Sequence, residues 1–229
     1  MKKKRILLIA LVLALVLICT KGFAKLRNED IINNVIVLDN FADIPEDWRL
    51  ILVNSNNAIP KDYKIELTQL SNGICVDTRI YPDLQNMFDD ARKQGIYPVV
   101  SEGYRTHQQQ QNIMDEKINA FIDEGYSEKD AKKLAEDWVA LPGTSEHELG
   151  IALDINADID FCSDTEVYDW LANNAHNYGF ILRYPSGKES ITGIDYEPWH
   201  YRYVGKENAS EIYSKQITLE EFLNVPRGT

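Results

Sequence analysis

The stretch Ser-Glu-His-Glu-Leu-Gly-Ile-Ala-Leu-Asp at residues 145–154 decides how the fold is interpreted. Residues 151–155 form a short apolar run that is typical of a β-strand carrying Asp154. The small residues Gly150 and Ala152 let the backbone turn tightly after His147. Residues 199–204 form a second predicted strand, which begins with Trp199-His200. We therefore expect two strands to present a carboxylate and two imidazoles on one site.

Two histidines and one aspartate match the number and type of ligands that zinc takes in catalytic sites, with the fourth position left open for water. We predict that His147, Asp154 and His200 bind one zinc ion. Glu197 lies three residues before His200 and is the predicted general base that takes the proton of the water. Taken singly, each of these side chains is more often an ordinary surface residue. The prediction depends on the joint pattern.

Three further residues are candidates for contact with a substrate. Arg105 follows the apolar strand predicted at residues 96–100, and its guanidinium could stabilise an oxyanion or bind a carboxylate. A surface ion pair is the alternative for this arginine. Gln110, on the following predicted helix, could line the same cleft or simply belong to a polar helix face. Ser145 could donate a hydrogen bond to substrate or cap the turn before His147.

Other hydrolytic chemistries find little support in the sequence. The Gly-x-Ser-x-Gly pattern of a serine nucleophile is absent, and His147 lacks the second histidine of a helical zinc-protease motif. No Cys-x-x-Cys pair exists, so a thiolate zinc site is excluded. Cys75 and Cys162 are expected to be unpaired thiols, although a disulfide between them is possible in an oxidising compartment. His107 and His176 are predicted not to be ligands.

The N-terminus looks like a targeting segment. Four basic residues at positions 2–5 precede an apolar run at 6–19, so residues 1–24 are predicted to be a signal peptide or an N-terminal membrane anchor. The run is shorter than the roughly 17–25 residues that a confident membrane span needs. Cleavage after Ala24 and an uncleaved anchor both remain open. Residues 25–229 would then form one exported domain, with contact to the membrane only if the apolar segment is retained.

The charge of the chain limits its partners. The formal net charge is −12 at pH 7, although the leader contributes only basic groups. A domain this acidic is not expected to bind nucleic acid or anionic lipid non-specifically. The sequence does not indicate an oligomeric state.

The patterns along the chain predict a single compact α+β domain, in which a small antiparallel sheet is flanked by helices and carries the zinc site. The order of elements gives no sign of repeats. The predicted elements are a strand at 35–38, a hairpin of 64–70 with 74–78, helices at about 84–94, 106–123, 127–141, 163–178 and from 218, a central strand at 96–100, and strands at 151–155, 180–182 and 199–204.

Together these motifs resemble those of a known family. The pattern Ser-x-His-x-x-Gly-x-Ala-x-Asp at 145–154, followed by Glu-x-Trp-His at 197–200, is similar to that of the VanY-type zinc D-alanyl-D-alanine carboxypeptidases. Gly-Tyr-Arg-Thr at 103–106 with Gln110 resembles the family's upstream arginine motif. The resemblance covers about residues 81–205. Glu102 stands where many members have serine.

The resemblance implies an exported enzyme that releases the terminal D-alanine from peptidoglycan stem peptides or their precursors, in the bacterial cell envelope. It implies zinc ligation by His147, Asp154 and His200, with Glu197 as the base. It also implies that Arg105 stabilises the tetrahedral intermediate, and that Ser145 and Gln110 lie near the substrate. Open alternatives are an L,D-carboxypeptidase acting on tetrapeptide stems, an endopeptidase, and a non-catalytic zinc-containing wall-binding domain. A role in glycopeptide resistance is compatible with release of the terminal D-alanine from precursors.

Overall fold

The structure is a computed structural model that describes residues 47–156 and 164–225 of the 229-residue chain. The predicted leader, the predicted strand at 35–38 and Cys162 lie outside the described residues. Within these two ranges, no helix is long and apolar enough to cross a membrane. The described residues form an α+β domain.

Two small antiparallel sheets organise the domain. The strands are β1 Leu67–Gln69, β2 Cys75–Asp77, β3 Val100–Glu102, β4 Ala152–Ile155, β5 Phe180–Leu182 and β6 His200–Tyr203. A hairpin pairs β1 with β2, as the alternating pattern and Gly73 predicted. The second sheet has four strands in the order β3-β4-β6-β5, all antiparallel.

Helices flank the sheets, and the five predicted helices begin within three residues of their predicted starts. Thr106 and Gln109 form a capping box at the start of one helix, and Thr218 and Glu221 form another. The helices are α1 Tyr81–Lys93, α2 His107–Asp123, α3 Glu128–Glu136, α4 Asp164–Asn174, α5 Glu189–Thr192, α6 Lys206–Lys215 and α7 Leu219–Phe222, with 3-10 helices at Trp48–Leu50, Glu146–Leu149 and Ala175–Tyr178.

The two faces of the central strands have different roles. Side chains alternate along a strand, so Leu153 and Ile155 of β4 and Tyr201 of β6 face the main apolar core. Asp154 and His200 occupy the intervening positions, and they are directly opposite each other in the β4–β6 register. The same alternation that builds the core therefore places two predicted zinc ligands side by side on the other face.

Three predicted elements differ from the structure. The helix predicted at 127–141 ends as α3 at Glu136. The predicted central strand at 96–100 is wrong, because β3 begins at Val100 and lies at an edge of the sheet. Pro98 has no amide proton to donate to a neighbouring strand, and Tyr97 and Val99 are 66% and 52% exposed. The helix predicted through residue 178 ends as α4 at Asn174, and a 3-10 turn follows it up to the left-handed Gly179.

Candidate metal centre

Three elements bring the predicted ligands together. His147 lies on the 3-10 helix Glu146–Leu149, Asp154 on β4 and His200 on β6. All three are buried, and one donor atom from each lies within 4.8 Å of the others. Gly150 ends the 3-10 helix with φ of 71°. The positive φ favours glycine, and a β-carbon there would also force the end of the Ile65 side chain to shift.

The distances between the donor atoms fit a zinc ion. Asp154 Oδ1 lies 3.4 Å from His147 Nε2 and 3.0 Å from His200 Nδ1. Zinc bonds of about 2.0–2.1 Å in a tetrahedron put ligand atoms about 3.3 Å apart. Among the described residues, this buried oxygen finds no hydrogen bond of good geometry. An electron-rich atom without a proton partner, placed between two ring nitrogens, is what a cation site requires.

The two histidines present different nitrogens to the centre. The Nδ1–H group of His147 donates to the Gly103 carbonyl oxygen at 2.8 Å, which leaves Nε2 for the metal. His200 is reversed, because its Nδ1 faces Asp154 and its Nε2 faces Glu146. The partner of the outward nitrogen sets the tautomer of a ligating histidine. Each ring is therefore oriented by the group that faces its outward nitrogen.

The charge states of the three side chains suit a cation. Burial lowers the pKa of His147, which keeps this imidazole neutral at pH 7. Burial opposes the ionisation of Asp154, but the two imidazoles outweigh it and hold the pKa well below its usual range. Burial also disfavours charge on His200, yet the neighbouring carboxylates of Asp154 and Glu146 raise its pKa to about 9. Without a metal, the centre thus holds a proton on His200, which a cation must displace.

Glu197 lies beside the centre without joining the cluster of donor atoms. Its Oε2 atom is 3.6 Å from His200 Nδ1, and its side chain is 13% exposed. Burial raises the pKa of Glu197 to about 7. A carboxyl group whose pKa is close to neutral can both accept and return a proton at physiological pH. The position and the pKa suit the role of general base predicted from the sequence.

Arg105 also lies beside the centre, where it contacts Asp154. Its Nη2 atom lies 3.2 Å from Asp154 Oδ2, and Nη1 donates to Gln110 Oε1 at 3.3 Å. The Nε atom is 3.6 Å from Glu102 Oε2. The amide nitrogen of Gln110 donates to the Ala140 carbonyl oxygen at 2.8 Å. Gln110 is therefore placed to orient Arg105, while Arg105 itself borders the cleft.

A cleft of about 130 Å³ opens over these side chains. Ser145 lines it and is buried, and its side chain does not cap the adjacent 3-10 helix. Apolar side chains line the cleft together with the charged groups. A small cleft of mixed lining favours a small substrate group held near the charged centre. The apolar lining includes Ile113, Trp138, Val139 and Ile194.

Comparison with known proteins places this site in a family. A family model described as VanY, D-alanyl-D-alanine carboxypeptidase, matches residues 73–206, which is more than half of the chain. This range contains every site residue discussed above. The chain belongs to the VanY family.

Relatives and solved structures agree with this assignment. A D-alanyl-D-alanine carboxypeptidase of Enterococcus faecalis is 54% identical over 182 residues, which are 80% of this chain and 68% of the relative. A structure of a mutant of the vancomycin resistance D,D-pentapeptidase VanY, in complex with Zn(II), is 56% identical with a TM-score of 0.75, and the match covers 78% of this chain and 100% of that one. A structure of VanYB in complex with D-alanine-D-alanine is 55% identical with a TM-score of 0.75, covering 79% and 100% of the two chains.

Sequence reasoning missed a buried ionic network behind the metal centre of this VanY-family protein. Glu146 Oε1 accepts hydrogen bonds from Arg183 Nε at 2.8 Å and from Arg202 Nη1 at 2.7 Å. Burial opposes ionisation of Glu146, but the two guanidinium groups outweigh it and hold its pKa below the usual range. No single residue signals this network in the sequence, because a charged side chain is exposed by default.

The remaining histidines lie away from the donor atoms. His107 is on the surface, with a side chain that is 70% exposed, and its Nδ1 atom lies 3.2 Å from Glu148 Oε2. His176 stacks on the Tyr213 ring with 3.7 Å between the ring centroids. Neither residue belongs to the group formed by His147, Asp154 and His200. The roles of the site residues stay predictions, and the positions of these residues in the structure are consistent with those roles.

Proposed function

We propose that this chain is a zinc-dependent D,D-carboxypeptidase that releases the terminal D-alanine from peptidoglycan stem peptides or their precursors. The observation that carries this proposal is the convergence of His147, Asp154 and His200 beside a buried carboxyl group, Glu197, that lies outside the ligand set. The zinc and D-alanine-D-alanine complexes of similar VanY structures support it. A purely structural zinc site would have no use for this carboxyl group.

His147 Nε2, Asp154 Oδ1 and His200 Nδ1 would hold the ion. When bound, zinc would supply a Lewis acid, which would polarise the scissile carbonyl group and lower the pKa of water. Glu197 accepts a proton from the attacking water and later delivers it to the amine nitrogen of the departing D-alanine. In the metal-free site, burial raises the pKa of Glu197 to about 7, which favours the acceptance of a proton.

Arg105 acts on the oxygen that becomes negative during the attack. Its guanidinium group is held by Asp154 and Gln110, so it is oriented before a substrate arrives. A donor that needs no reorganisation during the reaction stabilises the developing charge most effectively. Ser145 lies in the same cleft and is the proposed hydrogen-bond donor to the substrate.

The proposed location is extracytoplasmic, in the bacterial cell envelope. Residues 1–24 are proposed as the signal peptide or membrane anchor and residues 25–229 as the enzymatic domain, with its motifs within about 81–205. The vancomycin resistance proteins among the similar structures make a link to glycopeptide resistance part of this proposal. Removal of a terminal D-alanine from a precursor takes away the D-alanyl-D-alanine end.

The test is release of free D-alanine by the purified full-length chain. We expect release from a pentapeptide stem, its loss after chelation, and its recovery when zinc is added. His107→Ala serves as a matched control, because this histidine is exposed and lies outside the cluster. Release from a tetrapeptide stem alone would replace the proposal with L,D-carboxypeptidase activity. Bound zinc without release from either peptide would leave an endopeptidase or a wall-binding domain.

A further inference from the structure

Glu146 stands directly behind one of the proposed zinc ligands. Its Oε2 atom lies 3.7 Å from His200 Nε2, and both side chains are buried. Among the described residues, neither atom has a hydrogen-bond partner of good geometry. Two buried polar atoms without other partners face each other across a gap slightly longer than a hydrogen bond. A small shift of the His200 ring would close this gap.

The rest of the network holds Glu146 in this orientation. Both arginines bind the other carboxylate oxygen, Oε1, so Oε2 is left free toward His200. Arg183 is held in turn by two hydrogen bonds to Glu220, at 2.9 and 2.6 Å. Arg202 also donates to the Ile51 carbonyl oxygen at 2.8 Å. The carboxylate is thus fixed by neighbours that do not compete for the oxygen facing the histidine.

A role in folding stability alone does not explain this arrangement. A buried ion pair is weak evidence for stability, since removing charges from water costs about as much as their attraction returns. A network built for stability would also use both oxygens of its buried carboxylate. The unused oxygen points instead at the one ring nitrogen of His200 that does not face the proposed metal.

We propose that Glu146 is a positioning residue for zinc. Its Oε2 atom accepts a hydrogen bond from His200 Nε2–H, which fixes the tautomer and directs the Nδ1 lone pair at the ion. This inference rests on the proposed function, because it takes His200 as a ligand. It also distinguishes the two histidines, since His147 has a neutral carbonyl group behind it. A charged acceptor makes His200 the more basic of the two ligands.

Glu146→Gln tests this role at nearly constant shape. The amide can still accept from the arginines, but it then turns an N–H group toward His200 Nε2. That nitrogen must give up its proton and accept, so the ring carries its proton on Nδ1 and loses its ligand atom. We expect zinc affinity, measured by competition with a chelator, to fall about 10–100-fold. The absorption spectrum of the cobalt-substituted protein should change as well.

Glu220→Gln is the matched control. Glu220 shares Arg183 with Glu146, but its described hydrogen bonds do not reach the histidines of the centre. This variant should lower the stability of the fold while leaving zinc affinity and the cobalt spectrum unchanged. An equal loss of zinc affinity in both variants would make the network merely structural and overturn the proposal.

Nitrogen-15 NMR of the wild-type protein decides the question even if Glu146→Gln does not fold. With zinc bound, we expect His200 to carry its proton on Nε2 and His147 to carry its proton on Nδ1. Ligation of zinc through His200 Nε2, or unchanged zinc affinity in Glu146→Gln, would overturn this inference and leave the proposed function standing. A wild-type protein that binds no zinc would overturn both.

Discussion

Replacing Glu197 with glutamine should slow the reaction and, at neutral pH, stabilise the metal-free protein. The Glu197 side chain is 13% exposed, and burial raises its pKa to about 7. Glutamine has the same shape but carries no charge that must be removed from water. The substitution therefore removes an ionisation and leaves most of the packing in place.

The sign and size of the stability change follow from the pKa. The folded-state pKa of about 7 lies above the 4.5 that is usual for glutamate. The folded protein therefore keeps a proton that the unfolded chain releases, and the free energy of unfolding falls as the pH rises from about 4.5 to 7. At pH values above about 7, the difference between the two pKa values lowers the free energy of unfolding by about 3 kcal/mol.

The assay is urea unfolding of chelator-treated protein at pH 4.5 and pH 8. The wild type should lose about 3 kcal/mol more between these pH values than Glu197→Gln does. The pKa of His200 is raised to about 9 with a contribution from Glu197, so the difference between the two proteins reports Glu197 together with its coupling to His200. Glu116→Gln, a substitution of an exposed glutamate, is the control and should behave like the wild type.

The same variant should keep zinc and lose at least about a hundredfold in turnover, the usual scale for loss of a general base. If Glu197→Gln showed the pH dependence of the wild type, its burial would not be what shifts the pKa. If it turned over substrate at nearly the wild-type rate, the assignment of the base would be wrong. The two measurements are independent, since one needs no metal and the other needs no unfolding.

Three further substitutions test other parts of the site. His147→Ala should lose both zinc, measured by mass spectrometry of the purified protein, and activity; stoichiometric zinc in this variant would remove His147 from the ligand set. Arg105→Lys should keep zinc but lower kcat/KM about a hundredfold, because lysine cannot reproduce the planar contacts of the guanidinium group; an unchanged kcat/KM would contradict a role in charge stabilisation. Gly150→Ala should destabilise the fold by more than the ~1–2 kcal/mol expected from its positive φ alone. The control is Gly95→Ala, because Gly95 also has a positive φ but has open space around an added β-carbon. The free energy of unfolding of both variants is measured in denaturant. Equal losses of stability would refute the steric argument for Gly150.

The proposed ligand set could be predicted from the sequence because its members follow simple rules. Asp154 lies in an apolar run typical of a strand, and Gly150 marks the turn before it. The antiparallel pairing that places Asp154 opposite His200 required only a small sheet in which the two strands are neighbours. Local pattern and ligand chemistry together indicated the centre.

The ionic network behind the centre could not be predicted in the same way. Glu146, Arg183, Arg202 and Glu220 come from four separate parts of the chain, and only the fold shows that they share one buried space. A charged residue is exposed by default, so each taken alone indicates surface. The edge position of β3 was missed for a similar reason, because an apolar run does not reveal which strands flank it.

The pairing of Asp154 with His200 has a consequence for how the protein matures. If β6 slipped by one residue against β4, it would turn His200 toward the apolar core, away from Asp154. A zinc ion held by all three side chains can therefore bind only after the strands have found their correct alignment. The ion would therefore stabilise the sheet after it has formed, and it would not direct the formation of the sheet. Slow metal uptake during refolding would then report strand alignment.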